Sequence, residues 1–105
     1  MVGANPKAGQ TIQFQLRDSE TSEEDLKALL EKLKTKKASS SCGALLVSCC
    51  GRGRGLFGVP DHDAKMIQKS AGPLALTGFF ANGEIGPVGD KNYIHGYTSS
   101  LVVFR

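Results

Sequence analysis

The sequence lacks the long apolar runs and leader-like segments of membrane and secreted proteins. No stretch approaches the roughly 18 consecutive apolar residues of a membrane span, so none is expected. No basic segment followed by an apolar run opens the chain, so a signal peptide is not expected either. Only three cysteines and two histidines occur, without a CxxC pair, which argues against disulfides and zinc. We therefore expect a reducing, cytoplasmic location, no metal and no other cofactor.

A strong charge of one sign is also missing. Thirteen Lys and Arg against ten Asp and Glu give a net charge of +3 at pH 7, which is too mild to require a polyanionic partner. The lysines at positions 32, 34, 36 and 37 are interpreted as a solvated helix end rather than a nucleic-acid patch. We expect neither nucleic acid nor a membrane among the partners.

What the chain does have is enough length and hydrophobicity for one domain. Its 105 residues, 40% of them hydrophobic, can bury a modest core without disulfide or metal support. Residues 1–9 are mostly turn formers and are predicted to be a flexible lead-in. The domain proper is predicted to span residues 10–105, without internal repeats.

Alternation and helical periodicity predict most of the elements. In residues 11–18 the apolar Ile12, Phe14 and Leu16 alternate with polar residues, which predicts a half-buried strand. Apolar residues at helical spacing predict a helix over residues 22–37. The further elements are predicted at residues 43–49 (strand), 61–71 (helix), 74–80 (strand) and 97–104 (strand), with a glycine-rich loop at residues 81–96.

This β-α-β-α-β-β order predicts a single compact domain of the α/β (α+β) class. We expect a mixed sheet of about four strands covered by two helices, with the last strand antiparallel. The continuous apolar run of residues 43–49 predicts a central strand buried on both faces. Because loops that leave parallel strands collect at one sheet edge, the stretches CCGRGRG (residues 49–55) and NGEIG (residues 82–86) should face each other there.

The charges of these two stretches predict a small-molecule site. Arg52 and Arg54 carry planar donors suited to a carboxylate or phosphate. Glu84 and Asn82 would face them with an acceptor and an amide, and Asp61 adds a second negative charge. A cleft with both signs of charge suits a zwitterion such as an amino acid. The alternative is that Glu84 pairs with Arg52 or Arg54 and simply fastens the loops together.

Other chemistries are weaker interpretations of the same segment. GRGRGLFG lacks the GxxxxGK[ST] pattern of a phosphate loop, and its single aromatic residue gives little for nucleic-acid bases to stack on. A thiol enzyme would use Cys49 or Cys50 with His62 or His95 as base. Buried cysteines are more often packing residues, so we expect a binding module rather than an enzyme.

Three motifs resemble the C-terminal domain of the FIST family (F-box and intracellular signal transduction proteins). They are S-C-C-G-R-G at residues 48–53, G-F-F-A-N-G-E-I-G-P at residues 78–87 and H-G-Y-T at residues 95–98. The resemblance extends over residues 2–104. It implies an intracellular sensory or ligand-binding domain in signal transduction. In eukaryotes such a domain follows an F-box, which implies the alternative of a protein-interaction module that recognises substrates of a ubiquitin ligase.

The resemblance also implies pocket residues and partners, and the charge argument adds Arg54. The candidate ligand-binding residues are Cys49, Gly51, Arg52, Gly53, Arg54, Asn82, Gly83, Glu84, Gly86 and His95. A small molecule is the expected ligand; a protein partner, a FIST N-terminal half and a homo-oligomer are the open alternatives. The protein-interaction alternative predicts an exposed apolar patch around Leu56, Phe57, Ile85 and Val88.

Overall fold

A computed structural model of the chain describes residues 5–14, 16–35, 42–72 and 74–104. It shows an α+β domain, which confirms the predicted class. The elements are α1 (Ser19–Thr35), β1 (Gly43–Cys49), α2 (Arg54–Phe57), α3 (His62–Ala71), β2 (Leu76–Ala81), β3 (Glu84–Val88), β4 (Lys91–His95) and β5 (Ser99–Phe104), with a short 3₁₀ turn at Cys50–Arg52.

Three of the strands form one mixed sheet in the order β2-β1-β5. As predicted, β1 is the central strand, β2 runs parallel to it and β5 runs antiparallel. The parallel pair is joined through α3, since consecutive parallel strands need a long crossover. The sheet therefore has three strands where about four were expected, and β3 and β4 pair separately as a hairpin.

The strand predicted at residues 11–18 is wrong for the part of this segment that the structure describes. Residues 11–14 and 16–18 form no strand, and Ile12, Phe14 and Leu16 are 62%, 91% and 83% exposed. The alternation of apolar and polar residues gives this segment one apolar face. A strand also needs a neighbouring strand to which its backbone N–H and C=O groups can hydrogen-bond. Asp18 instead begins α1, accepting hydrogen bonds at Oδ1 from the backbone N–H (2.8 Å) and the hydroxyl (2.9 Å) of Thr21.

The loop predicted at residues 81–96 is also wrong, because most of it forms the β3–β4 hairpin. Ile85 lies opposite Ile94, and Val88 lies opposite Lys91 across the turn. Gly89, at φ 63°, occupies the first of the two turn positions, where a positive φ favours glycine. The Gly-Asp pair at this turn was the hairpin signal, and Gly86 and Pro87, both poor strand formers, obscured it.

The core lies on one face of the sheet, under α1 and α3. Leu26 and Leu30 of α1 and Ile67 of α3 meet Ala44 and Leu46 of β1 there, and Ile67 is completely buried. Side chains of this size each stabilise the fold by about 1.5–3 kcal/mol when fully buried. Both helices thus use their apolar stripe, and the crossover through α3 fixes where β1 and β2 end.

The opposite face of the sheet, called here the second face, is covered much less. Its strand register places on it Leu45, Val47, Thr77, Phe79, Ser100, Val102 and Phe104. Leu45 and Val47 are half-buried, so the prediction that β1 is buried on both faces is wrong within the described chain. Neither α1 nor α3 reaches this face, because both belong to the core side.

Candidate functional site

The loops that follow β1 and β2 leave the sheet at the same edge, as predicted. Cys49, the last residue of β1, lies opposite Ala81, the last residue of β2. The chain returns to this edge before β5, where the Thr98 carbonyl accepts a hydrogen bond of 2.9 Å from the Cys49 backbone N–H. Three segments far apart in sequence therefore meet here.

A buried ion pair between Arg52 and Asp63 lies at the centre of this edge. Arg52 Nε donates to Asp63 Oδ2 at 2.7 Å, and Arg52 Nη2 donates to Oδ1 at 3.0 Å. The Ser48 hydroxyl donates to Oδ2 at 3.1 Å. Such a bidentate ion pair combines charge attraction with a fixed geometry. It links the 3₁₀ turn to the first turn of α3.

The remaining donors of Arg52 bind backbone carbonyls. Nη1 donates to the carbonyl of Tyr97 at 3.0 Å, and Nη2 also reaches the carbonyl of Ser22 at 3.3 Å. Arg52 is only 6% exposed, and each of its guanidinium nitrogens has a protein acceptor. Its geometry fits a structural role that links four segments, and it does not fit the predicted contact with a ligand anion.

The carboxylate of Asp63 stays ionised in this setting. Burial raises its pKa, but the hydrogen bond from Arg52, the contact with His62 and the Arg52 charge together lower it by more. The net pKa lies below the ordinary value of an aspartate. The pair is therefore charged on both sides, which is the arrangement that a buried arginine requires.

His62 lies between two carboxylates. Its Nδ1 is 3.2 Å from Asp63 Oδ1 and its Nε2 is 3.2 Å from Glu23 Oε2. The ring stacks on Phe57, with centroids 3.7 Å apart and planes 6° from parallel. A neutral imidazole carries only one N–H, so both contacts can be hydrogen bonds only when the ring is protonated. His62 thus connects α1, α2 and α3.

The cysteines do not form a nucleophile–base pair in the described chain. Cys49 is buried and its Sγ accepts from the Gly51 backbone N–H at 3.4 Å, whereas Cys42 and Cys50 are exposed. His62 faces carboxylates, and His95 Nε2 lies 2.9 Å from the Gly86 carbonyl. Neither His62 nor His95, the two candidate bases for a thiol enzyme, contacts a cysteine sulfur among the described residues.

A cavity of about 640 Å³ opens between β2, the segment after β1 and the start of α3. Leu46, Leu76 and Phe80 give it an apolar wall. Arg54 and Asp61 also line it. Both are exposed, and neither makes a side-chain hydrogen bond or ion pair within the described residues. The other lining residues are Ser48, Cys50, Arg52, Gly53, Pro60, His62, Asp63, Ala64, Gln68, Thr77, Gly78 and Phe79.

The structure separates the predicted ligand-binding residues into two groups. Arg52, Gly53 and Arg54 line the cavity. The seven others do not line it; they are Cys49, Gly51, Asn82, Gly83, Glu84, Gly86 and His95. The two stretches share an edge, but only the first one borders the cavity.

Glu84 has a different partner from either predicted one. It is 9% exposed, and its Oε2 accepts a hydrogen bond of 3.1 Å from the Thr98 hydroxyl. It makes no ion pair with Arg52 or Arg54 in the described chain, and its Oε1 has no hydrogen-bond partner there. The alternative that Glu84 fastens the loops through an arginine is therefore wrong. Glu84 instead holds the hairpin to the segment before β5.

The structure also divides the predicted apolar patch between two places, the hairpin and α2. Ile85 and Val88 are exposed on the hairpin, whereas Leu56 and Phe57 are half-buried in α2. Because one face of the Phe57 ring is stacked on His62, that face is not available to a partner protein.

Sequence reasoning missed Asp63, the partner that decides the role of Arg52. The available signal was its spacing from Ile67: four residues apart on one helix, the two share a face, and Ile67 faces the core. An aspartate on a core-facing stripe needs a buried cation. Arg54 and Arg52 both precede it, and the local pattern does not say which of the two it binds.

The chain matches the family model of the FIST C domain over residues 1–87. It belongs to the FIST C domain family. FIST C domains are associated with signal transduction. None of the helices that the structure describes is long and apolar enough to cross a membrane.

Its curated relatives are longer mycobacterial proteins. The uncharacterised protein Mb0898c of Mycobacterium bovis is 45% identical over 115 aligned positions, which cover 99% of this chain and 30% of that protein. The uncharacterised protein Rv0628c of Mycobacterium tuberculosis is 44% identical over 103 positions, covering 98% of this chain and 27% of that protein. The chain thus spans less than a third of the length of these relatives. No solved structure matches it.

Proposed function

We propose that this FIST C domain is the ligand-binding part of a signal-transduction protein and takes a small zwitterion of the amino-acid type. The observation that carries the proposal is the cavity of about 640 Å³, which joins an apolar wall to two unpartnered charges of opposite sign. Ligand pockets typically combine a mostly apolar lining with a few converging polar groups.

Arg54 and Asp61 take the roles that the sequence suggested for Arg52 and Glu84. The guanidinium of Arg54 suits a carboxylate, which it can bind through two parallel hydrogen bonds. The carboxylate of Asp61 suits an ammonium group. The cavity's apolar wall, at Leu46, Leu76 and Phe80, would receive the ligand's side chain.

The backbone at Asp61 supports a functional role for this position. Asp61 has φ 59° and ψ 27°, in the left-handed region that non-glycine residues seldom adopt. It begins α3 without capping it through its side chain, so its carboxylate is free for another contact. Strained residues of this kind cluster at functional sites.

The Arg52–Asp63 pair supports the proposal by making the site rigid. Arg52 and Asp63 line the cavity with their charges already satisfied, so they do not compete for the ligand's own charges. A preformed site loses less conformational freedom when it binds.

Titration of the 105-residue chain with each of the twenty amino acids, followed by amide NMR shifts, tests the proposal. At least one amino acid should shift the amides of Arg54, Asp61 and Phe80. Arg54→Gln and Asp61→Asn should each weaken its binding by about tenfold or more, the loss expected for one charge-assisted contact.

Lys69→Gln and Asp90→Asn remove exposed charges outside the cavity and are the matched controls, so neither should change the affinity. If no amino acid shifts the three amides, or if the controls weaken binding as much as the cavity variants, the proposal is wrong.

The protein-recruitment alternative draws support from the hairpin alone. Ile85 and Ile94 lie opposite each other and are 76% and 81% exposed, an unusual concentration of apolar surface at one cross-strand pair. Capture of a partner protein that is lost in an Ile85→Lys variant and kept in a Lys69→Gln variant would favour this alternative.

A further inference from the structure

We infer that the second face of the sheet is an interface, and that its partner is the polypeptide that the longer relatives carry outside the region matched by this chain. This surface is distinct from the hairpin. It shares Thr77 and Phe79 with the cavity lining, whereas Leu45, Val47, Val102 and Phe104 lie outside the cavity. The inference adds an interaction surface to the proposed ligand site and does not depend on it.

The composition of the second face is that of a buried surface. By strand register it presents Leu45, Val47, Phe79, Val102 and Phe104, with Thr77 and Ser100 as its polar members. None of these residues is charged. A sheet face that contacts water normally carries polar and charged residues. The mostly apolar composition of this face is therefore typical of a buried surface.

Its large apolar residues on the two outer strands are nevertheless exposed in the described chain. Phe79 is 62% exposed, and Val102 and Phe104 are each 51% exposed. They come from the two outer strands on either side of β1, so the open area crosses the whole width of the sheet. Several large exposed apolar residues on one sheet face indicate an interaction surface.

The segment before α1 also exposes apolar side chains. Ile12, Phe14 and Leu16 alternate as in a strand and are all exposed, and no described strand pairs with them. Its residues therefore have the pattern of a strand without the neighbour that a strand requires. The second face and this segment are therefore two apolar surfaces that have no covering partner in the described chain.

The relatives indicate what that polypeptide is. Mb0898c and Rv0628c match 98–99% of this chain, yet the match accounts for only 27–30% of their length. The same domain therefore occurs joined to a much larger polypeptide. A covalently attached partner acts at a high effective concentration, so such a face can be covered without strong affinity between separate chains.

The experiment compares this chain alone with a chimera in which it replaces the matched region of Mb0898c. Hydroxyl-radical labelling of Phe79 and Phe104 should fall several-fold in the chimera, while labelling of Tyr93 on the hairpin stays unchanged. Should the chimera fail to fold, the aligned positions of unaltered Mb0898c are labelled instead, and they should be equally protected.

A pair of variants gives a second readout. Val102→Lys should lower the melting temperature of the chimera much more than that of the isolated chain, whereas the matched Val88→Lys on the hairpin should affect both alike. Equal labelling of Phe79 and Phe104 in both proteins overturns the inference. Protection of both residues in a dimer of the isolated chain, seen by analytical ultracentrifugation, also overturns it, because the partner would then be a second copy.

Discussion

Residues 49–58 and residues 82–96 both carry several glycines and both follow strands that end at one edge of the sheet, yet they are held by different forces. The first segment folds around Arg52, whose donors all point inward to Asp63, Tyr97 and Ser22. The second is a hairpin held by its own ladder and by one contact from Glu84 to Thr98. Because its removal would leave an unpaired buried charge, we expect the Arg52–Asp63 pair to fix the first segment more firmly than local strand pairing fixes the second.

The largest expected effect comes from breaking the buried pair in the first segment. Asp63→Ala leaves Arg52 buried without its counter-ion and should lower the free energy of unfolding by about 3–5 kcal/mol. Asp90→Ala, at the exposed turn of the hairpin, should change it by only about 0.5 kcal/mol. Urea denaturation measures both.

A double variant separates loss of the charge from loss of the fold. Arg52→Met with Asp63→Leu removes both charges and should recover much of the stability lost in Asp63→Ala. Equal stability of Asp63→Ala and Asp90→Ala would mean that the two segments are held alike.

The pH dependence of stability should come from the same carboxylate and be smaller than the effect of deleting it. The pKa of Asp63 is lower in the folded chain than the ordinary 3.8, so the folded state binds fewer protons than the unfolded state. Its contribution is therefore fully present above about pH 4 and is lost as the pH falls through the lower folded pKa. Thermal unfolding between pH 6 and pH 2 should show a shallower acid loss in Asp63→Asn than in the wild type, and identical acid profiles would contradict this assignment.

Glycine substitutions sharpen the contrast within the first segment. A Cβ at Gly51 would lie 2.9 Å from the Tyr97 ring, so Gly51→Ala should cost about 1–3 kcal/mol. A Cβ at Gly55 meets nothing within 4 Å, and Gly55→Ala in α2 should stabilise the fold by up to about 1 kcal/mol. Chemical denaturation of the two variants would refute the packing argument if their effects had the same sign.

A small effect is also expected at the exposed cross-strand pair of the hairpin. Ile94→Thr keeps a β-branched residue opposite Ile85 and removes apolar surface that is already 81% exposed. It should change the free energy of unfolding by at most about 0.5–1 kcal/mol. A larger loss in the isolated chain would show that the hairpin packs on the domain more closely than the exposure of Ile94 indicates.

Parts of the site could be predicted from the sequence and parts could not. The parallel pairing of β1 and β2 followed from a strand-helix-strand order, and it placed Cys49 beside Ala81. The role of Arg52 did not follow, because its partner Asp63 lies eleven residues away on another element. Arg54, two residues after Arg52, looked equivalent in the sequence, and only burial distinguishes the two.

By itself, the sequence determined the family, the α+β class, the central position of β1 and the edge at which the loops meet. The family follows from the resemblance of three motifs, at residues 48–53, 78–87 and 95–98. The class, the central strand and the shared edge follow from local periodicity and chain connectivity, which act between near neighbours. The tertiary structure decided which arginine is buried, that residues 82–96 contain a hairpin, and that Ile12, Phe14 and Leu16 lie exposed. Those outcomes depend on which polar and apolar groups find partners across the fold, and a partner far along the chain leaves no mark in the local pattern.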